Sequence, residues 1–289
     1  MCGLRMANDR IAAVIVTYNN TSMLRNLLSD CAGQTCRLNQ MIVVDNSETT
    51  ATITMVSTEF TLVQLIRMPQ NSGSAGGYRA GIEAALQEND FVWTLDDDVS
   101  MPPDSLERLL EGMQTLARTE KVGAVRSVGR MHPFVEPTEL EIAPWRGTLW
   151  RTDVMKQVGL PRADYFLYGE DLEYSLRLRS HGYRFYWIPS SKCIEVRQGK
   201  TKGSLLGVNV GVYQSAFRFY YAFRNEISIY LEYHAYSRLC RLLAYSLKVF
   251  VYLLFFGKKD RFEKLNAVLA GLRDGMRGKL GKNGHHGTD

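Results

Sequence analysis

The chain has 289 residues, of which 45% are hydrophobic and 22% charged, enough for one large domain or one domain with an appendage. That composition, with no low-complexity tract and no internal repeat, excludes a disordered or repetitive protein. The formal net charge of +5 conceals a basic tail, from Lys192, Arg197, Lys200 and Lys202 through Arg238, Arg241 and Lys248 to Lys258, Lys259 and Arg261. Such a tail suits nucleic acid, anionic lipid or a phosphorylated ligand. Five cysteines (Cys2, Cys31, Cys36, Cys193, Cys240) lack metal-ligand spacing and read as reduced thiols. Met1 to Arg10 has no signal-peptide apolar core, so a cytoplasmic location is expected.

The first element is the apolar run Ile11 to Thr17, a strand buried on both faces. Thr21 can cap a helix with Met23, Leu24, Leu27 and Leu28 on one face. Met41 to Val44 is a second strand tipped by Asp45-Asn46-Ser47, and Leu62 to Met68 a third apolar run. Ala75 to Leu86 reads as a helix and Phe91 to Leu95 as a strand ending in Asp96-Asp97-Asp98. This rhythm predicts a parallel α/β sheet whose strand ends share one crevice. Pro103 starts a helix with Leu106, Leu109, Leu110 and Met113 inward. Val122 to Trp150 is expected to be irregular with short strands. Gly169-Glu170-Asp171 opens a helix that buries Leu172, Leu176 and Leu178, with Arg177 and Arg179 outside and Gly182 as its cap. Phe185 to Ile188 is a strand stopped by Pro189.

From about Gly207 the pattern becomes helical. Leu239, Leu242, Leu243, Phe250, Leu253 and Leu254 make one apolar face with Arg241 and Lys248 opposite. Leu242 to Phe256 is shorter than the roughly 20 residues that span a bilayer. An in-plane helix with Lys258, Lys259 and Arg261 at headgroup level is one reading, and packing on the protein's own core or a second copy is the other.

Carboxylates crowded at a strand end ask for a cation, and hard oxygen ligands suit Mg2+ or Mn2+; a solvated acidic turn before Pro102-Pro103 is the alternative. Gly73-Ser74-Ala75-Gly76-Gly77 before a helix is either a phosphate cradle or a device for close helix packing, and it lacks dinucleotide-binding spacing. Glu170-Asp171 supplies either helix-capping groups or a general base.

Five segments together resemble the family-2 glycosyltransferases. They are Val14 to Asn19, Ile42 to Ser47, Asn71-Ser72-Gly73 with Gly76-Gly77, Thr94 to Asp98, and Tyr168 to Arg177. The resemblance covers about residues 10–225 and implies an α/β GT-A nucleotide-sugar-binding fold with a mostly parallel central sheet. A catalytic domain over 1–206 and a C-terminal helical region over 207–289 are expected. By that resemblance, Thr17, Tyr18 and Asp45, with Gly73, Gly76 and Asp97, belong to the donor-binding set. Asp96 and Asp98 are the metal ligands for Mn2+ or Mg2+, and Asp171 is the catalytic base of an inverting transfer. Relatives often carry a metal-binding histidine six residues after the proline that follows the late strand; here Glu195 stands there, as a substitute ligand or as a surface residue. Trp93, the glycines from Gly73 to Gly81, and Tyr220 to Asn225 look most like the galactofuranosyl- and rhamnosyltransferase branch. That branch implies a UDP- or dTDP-sugar donor and a glycan or lipid-linked glycan acceptor. Trp145, Arg146 and Gly147 then fall on the acceptor side, with a core tryptophan as the alternative. The expected location is the cytoplasm, with peripheral attachment to the inner membrane face and homo-oligomer formation both left open.

A non-catalytic nucleotide-sugar-binding subunit is the competing reading, and retention of Asp96, Asp98 and Asp171 together argues against it. A nucleotidyltransferase would need a Gly- and Arg-rich loop where Thr17-Tyr18-Asn19-Asn20 stands. No recognised nucleic-acid module is present, so no nucleic-acid partner is expected.

Overall fold

A computed structural model of the chain describes residues 9–196, 215–256 and 260–283. The chain divides into two compact units, Met1–Pro161 with Tyr174–Arg197, and Arg162–Glu173 with Gln198–Asp289. The expected domain limit at 206/207, together with Cys2, Arg197, Lys200, Lys202, Lys258 and Lys259, lies outside the described residues.

The first unit begins with β1 (Ile11–Thr17), α1 (Thr21–Ala32), β2 (Gln40–Asp45), α2 (Ala51–Glu59), β3 (Gln64–Arg67), α3 (Gly73–Ala85) and β4 (Phe91–Asp96). It continues with β5 (Val99–Ser100), α4 (Ser105–Leu116), β6 (Val122–Val128), β7 (Thr138–Leu140), β8 (Thr148–Arg151) and α5 (Thr152–Val158). Next comes α6 (Glu170–Ser180), whose residues from Tyr174 belong to this unit, then β9 (Arg184–Lys192) and β10 (Ile194–Glu195). Eight strands form one sheet in the order β3-β2-β1-β4-β8-β6-β9-β7. The first four strands in that order are parallel, as is the pair β6–β9, while β8 and β7 run antiparallel to their neighbours.

Alternation along the strands builds the core. Ile11, Ala13 and Ile15 face a cluster with Leu24, Leu28 and Leu109, whereas Ala12 and Val14 face one with Tyr78, Ile82 and Tyr174. Both faces are covered, so β1 reads as a continuous apolar run. A Cβ at Gly77 would lie 2.6 Å from Val16 Cγ1, and one at Gly81 would collide with Val14 Cγ1, so α3 rests directly on β1.

Two segments differ from expectation. β6 is a seven-residue buried strand rather than irregular chain. Its polar Arg126 is accommodated because Nε donates to the Arg146 carbonyl and the guanidinium lies 4.3 Å over the Trp187 ring. Nor does β9 stop at Pro189. Ile188 pairs with Ser127 and Lys192 with Val128, so residues 189–191 bulge, and the proline sits where no ladder N–H is required.

In the second unit, α7 (Ala216–Glu232), α8 (Tyr236–Phe256) and α9 (Arg261–Met276) share a core that includes Phe219, Phe223, Leu253 and Val268. Gly271 and Gly275 bring the α9 backbone onto α7: added Cβ atoms would lie 2.7 Å from the Tyr220 carbonyl and 2.5 Å from that of Arg224. α8 has 21 residues, and an 18-residue window within it has a mean hydropathy of 1.8, long and apolar enough by length and composition to cross a membrane. The helix starts six residues before the apolar segment Leu242 to Phe256, through the turn holding Arg238 and Arg241. The single apolar face is corrected. Leu242, Val249 and Leu253 are buried, whereas Leu243, Leu247, Val251, Leu254, Phe255 and Phe256 are exposed.

The α3–β1 contact gives the first prediction. Gly81→Ala should cost about 1–3 kcal/mol by overpacking. Gly33→Ala, whose added Cβ makes only an ordinary 3.4 Å contact with the Ser29 carbonyl, should stay within about 0.5 kcal/mol of the parent. Urea unfolding of the two variants measures the difference.

Candidate active site

The sheet register sets Thr17 beside Asp45 and Val16 beside Asp96, so the polar tips of β1, β2 and β4 meet at one edge. This is the crevice outside the carboxyl ends of parallel strands where α/β folds bind ligands. The three aspartates are held differently. Asp96 Oδ1 accepts from the Tyr78 hydroxyl at 2.6 Å. Burial raises its proton affinity, and the Tyr78 bond and the charge of Arg146 oppose that rise. Asp97 turns back into the fold: Oδ2 accepts from Thr17 Oγ1 at 2.5 Å and Oδ1 from Asn20 Nδ2 at 2.9 Å. Burial pushes its carboxyl up to about 6, against the pull of these two bonds. Asp98 is half-buried, and its carbonyl accepts from the Val196 N–H at 3.0 Å. Asp97 therefore fastens the β1–α1 loop to the end of β4. Asn20, 8% exposed, completes that fastening and was not singled out from sequence; only its adjacency to Tyr18-Asn19 hinted at it.

Tyr18 stands at the mouth of this loop, 36% exposed, and Asn19 follows with a φ of 52°. Asp45 is fully buried. It accepts from the Ser47 N–H at 2.9 Å and pairs with Arg67 at 3.4 Å, whose guanidinium also binds the carbonyls of Glu48 and Thr49. Asn46 ties β2 to the start of α3: its Oδ1 accepts from the Ser72 N–H and hydroxyl, and its Nδ2 donates to the Gly73 carbonyl. The Gly73 N–H is bound to Asn71 Oδ1 at 2.9 Å, and Gly76 leaves room for Ser72. These contacts tie the start of the glycine run to β2 and to Ser72.

Glu195 reaches the same edge through its backbone, because β10 pairs with β5 and sets Glu195 opposite Val99. Its carboxylate, however, forms an ion pair with Arg146 at 2.8 Å. Among the described residues, no group of three or more His, Cys, Asp or Glu side chains gathers to hold a metal. Arg146 is thus the partner of the Glu195 carboxylate, the group expected as a substitute ligand or a surface residue. Trp145 follows the core-tryptophan alternative. It is 4% exposed and lies among Tyr78, Trp150 and Tyr174, with ring centroids 5.1–5.4 Å away.

Asp171 belongs to the second unit, in the first turn of α6, half-buried, with its Oδ1 accepting from the Leu172 N–H at 2.8 Å. The preceding loop is strained: Phe166, Tyr168 and Gly169 have φ of 64°, 66° and 85°. A left-handed conformation costs an L-residue about 1–2 kcal/mol, and more when the side chain is bulky.

A family model described as Glycosyl transferase family 2 matches residues 12–162, just over half of the chain. The chain is 24% identical over 296 residues to the dTDP-rhamnosyl transferase RfbF of Shigella flexneri, covering 95% of this chain and 98% of that protein. It is 26% identical over 203 residues to the galactofuranosyltransferase GlfT1 of Mycolicibacterium smegmatis, covering 61% and 67%. Among solved structures, S. aureus TarS 1-349 in complex with UDP-GlcNAc is similar with a TM-score of 0.62 at 16% identity, covering 92% of this chain and 81% of that chain. The chain spans 49% of the longer TarS chain. GalNAc-T7 with UDP, GalNAc and Mn2+ is similar with a TM-score of 0.61 at 13% identity, covering 93% and 56%. These likenesses establish the fold as GT-A, with a mostly parallel sheet and C-terminal helices.

Removing the half-buried Arg67 would strand the Asp45 carboxylate. Arg67→Met should lower stability by roughly 1–3 kcal/mol, below the range for a fully buried pair because the arginine is partly solvated. Asp45→Asn, which removes the charge itself, should cost less, and urea midpoints at neutral pH compare them.

Proposed function

The chain belongs to glycosyltransferase family 2 and is a glycosyltransferase, and from that premise we propose that it moves galactofuranose or rhamnose from a UDP- or dTDP-sugar to a hydroxyl of a lipid-linked or cell-surface glycan, with inversion at the anomeric carbon. The observation that carries the reading is the strand-end edge at which Thr17, Asp45 and Asp96 lie side by side. The similarity to RfbF and GlfT1 supports the two sugars, and the nucleotides in the TarS and GalNAc-T7 structures support a nucleotide-sugar donor.

In this reading Tyr18 lies against the nucleoside, and Thr17 and Asp45 shape its pocket. Asp97 acts through Thr17 and Asn20 rather than by touching the donor. Gly73 and Gly76 serve at the start of α3, where the Gly73 carbonyl is tied to Asn46 and Gly76 leaves room for Ser72. Asp96 and Asp98 are the residues that would hold Mn2+ or Mg2+. Two carboxylates fit such an ion when the remaining positions are taken by water and the donor's diphosphate. Mn2+ together with UDP in GalNAc-T7, which shares the fold, supports this assignment. Once bound, the cation supplies charge that stabilises the departing diphosphate. Asp171 accepts the proton of the attacking hydroxyl, so no covalent intermediate is needed. Residues 1–206 carry the reacting groups, and α8 within 207–289 serves attachment.

α8 supports action at the inner membrane face. Its charged residues are Arg238, Arg241 and Lys248 with no acidic one, and Leu247 and Phe255 are 64% and 71% exposed. A second copy would set like charges against each other, whereas an anionic lipid surface complements both the charge and the apolar face.

A panel of nucleotide sugars with and without Mn2+ tests the donor. One UDP- or dTDP-sugar should raise the thermal midpoint in a Mn2+-dependent manner. Asp98→Ala should abolish the shift, while Asp171→Asn should keep it and lose about a hundredfold or more in kcat. Absence of a shift with every nucleotide sugar would remove the donor assignment. For the membrane, the protein should float with vesicles containing phosphatidylserine and not with phosphatidylcholine alone. Leu247→Glu with Phe255→Glu should release it; a concentration-dependent dimer that ignores both vesicles would instead assign the face to a second copy.

A further inference from the structure

The loop leading into α6 is gripped by two consecutive buried residues of α7, Arg224 and Asn225, which are 1% and 0% exposed. Asn225 Nδ2 lies within hydrogen-bond distance of three carbonyl oxygens of that loop: 3.0 Å from Tyr165, 2.9 Å from Leu167 and 2.6 Å from Tyr168. Its Oδ1 accepts from Arg224 Nε at 2.8 Å, which fixes which end of the amide faces the loop. Arg224 adds Nη2 to the Tyr165 carbonyl at 2.9 Å and Nη1 to the Gly281 carbonyl at 2.6 Å. The ring faces of Tyr221 and Tyr220 lie 4.6 and 5.4 Å from its guanidinium carbon.

From these contacts, and resting on the reading of Asp171 as the base, we propose that Asn225, with Arg224 ordering it, is the positioning residue for the Asp171 carboxylate. Two observations favour this role over a contribution to the core alone. A guanidinium and an amide buried among aromatic rings are costly unless their donors find acceptors, and here the acceptors are carbonyls of the loop. The chain also spends the polar groups on main-chain oxygens of the segment in which Phe166, Tyr168 and Gly169 are left-handed. Such strain persists only where the surroundings over-determine it, and it concentrates at functional sites.

The grip is close and continues past the base. A Cβ on Gly169 would lie 3.1 Å from Asn225 Cβ and 3.0 Å from Ile229 Cδ1, so the loop is flush with α7. Beyond Asp171, the Glu173 N–H binds the Gly169 carbonyl, and Tyr233 of the unit donates its hydroxyl to Glu173 Oε1 at 2.7 Å. Asp171 is therefore bracketed by fixation before and after it. Glu226, next along α7, carries a carboxyl raised by burial and, in smaller part, by the charge of Asp171, in keeping with α7 facing the base.

The test uses the full-length protein and a double-mutant cycle between Asn225 and Asp171. Asn225→Asp is isosteric and cannot donate to the carbonyls. It should lose about a hundredfold in kcat, the order expected for a misplaced reacting group, while UDP and dTDP bind within about threefold of the parent. Added to Asp171→Asn, it should cost no more than about threefold further, because the group it positions is already gone. Should Asn225→Asp fail to fold, Gly169→Ala strains the same loop and should give the same loss in kcat with nucleotide binding kept. A folded Asn225→Asp or Gly169→Ala enzyme with parental kcat overturns the proposal, as does a full multiplicative loss in the double variant. Full activity in Asp171→Asn alone would instead remove the base assignment on which the proposal rests.

Discussion

Three carboxylates in sequence at the end of a buried strand lose water and repel one another, and much of the first unit is arranged to make that arrangement tolerable. One of the three is turned inward: both oxygens of Asp97 are bound, by Thr17 and Asn20, so that it serves as a structural tie. Asp96 is steadied by Tyr78, whose ring stacks on Trp145, so the polar site and the aromatic core behind it share a residue. What remains exposed to the crevice is two aspartates separated by one residue.

The same economy appears where the chain leaves the strands. Asp45 and Asn46 look like a matched polar pair, yet each is occupied internally, one by Ser47 and Arg67 and the other by Ser72 and Gly73. Their work is to hold the loops at a fixed height above the sheet. Tyr18, by contrast, projects from that scaffold half exposed. A site built this way has few side chains that touch a ligand and many that hold those few in place, in line with the need for preorganised geometry.

Much of the fold was legible because burial on both faces leaves a simple trace. Ile11 to Ile15 and Ile42 to Val44 are continuous apolar runs, and their polar tips mark the crevice. β6 escaped because Gly123, Arg126 and Ser127 interrupt its pattern, and the partners that make Arg126 acceptable, Arg146 and Trp187, are 20 and 61 residues away in sequence. The residue types of the site were readable, but their orientations were not. Nothing in the order Asp96-Asp97-Asp98 says that the middle one turns inward, nor that Arg146 claims Glu195. Such assignments depend on which long-range neighbour competes for a carboxylate, and that is decided only when strands distant in sequence pair.

Asn225 marks the limit of sequence reading in the opposite sense. The Tyr-Tyr-Ala-Phe-Arg-Asn stretch carries part of the branch resemblance in the sequence, and in the structure it is buried in a helical core. The information lies in the mismatch: an arginine and an asparagine buried in an otherwise aromatic and apolar core. Main-chain carbonyls, unlike side chains, leave no trace of their own in a sequence, so a residue whose partners are three carbonyls cannot be paired with them in advance. Only the left-handed residues of the loop give the partner away, and of these only Gly169 is of a type that favours that conformation. With Phe166 and Tyr168 the backbone bears a strain that the residue types do not relieve, and Asn225 and Arg224 are the side chains that hold it.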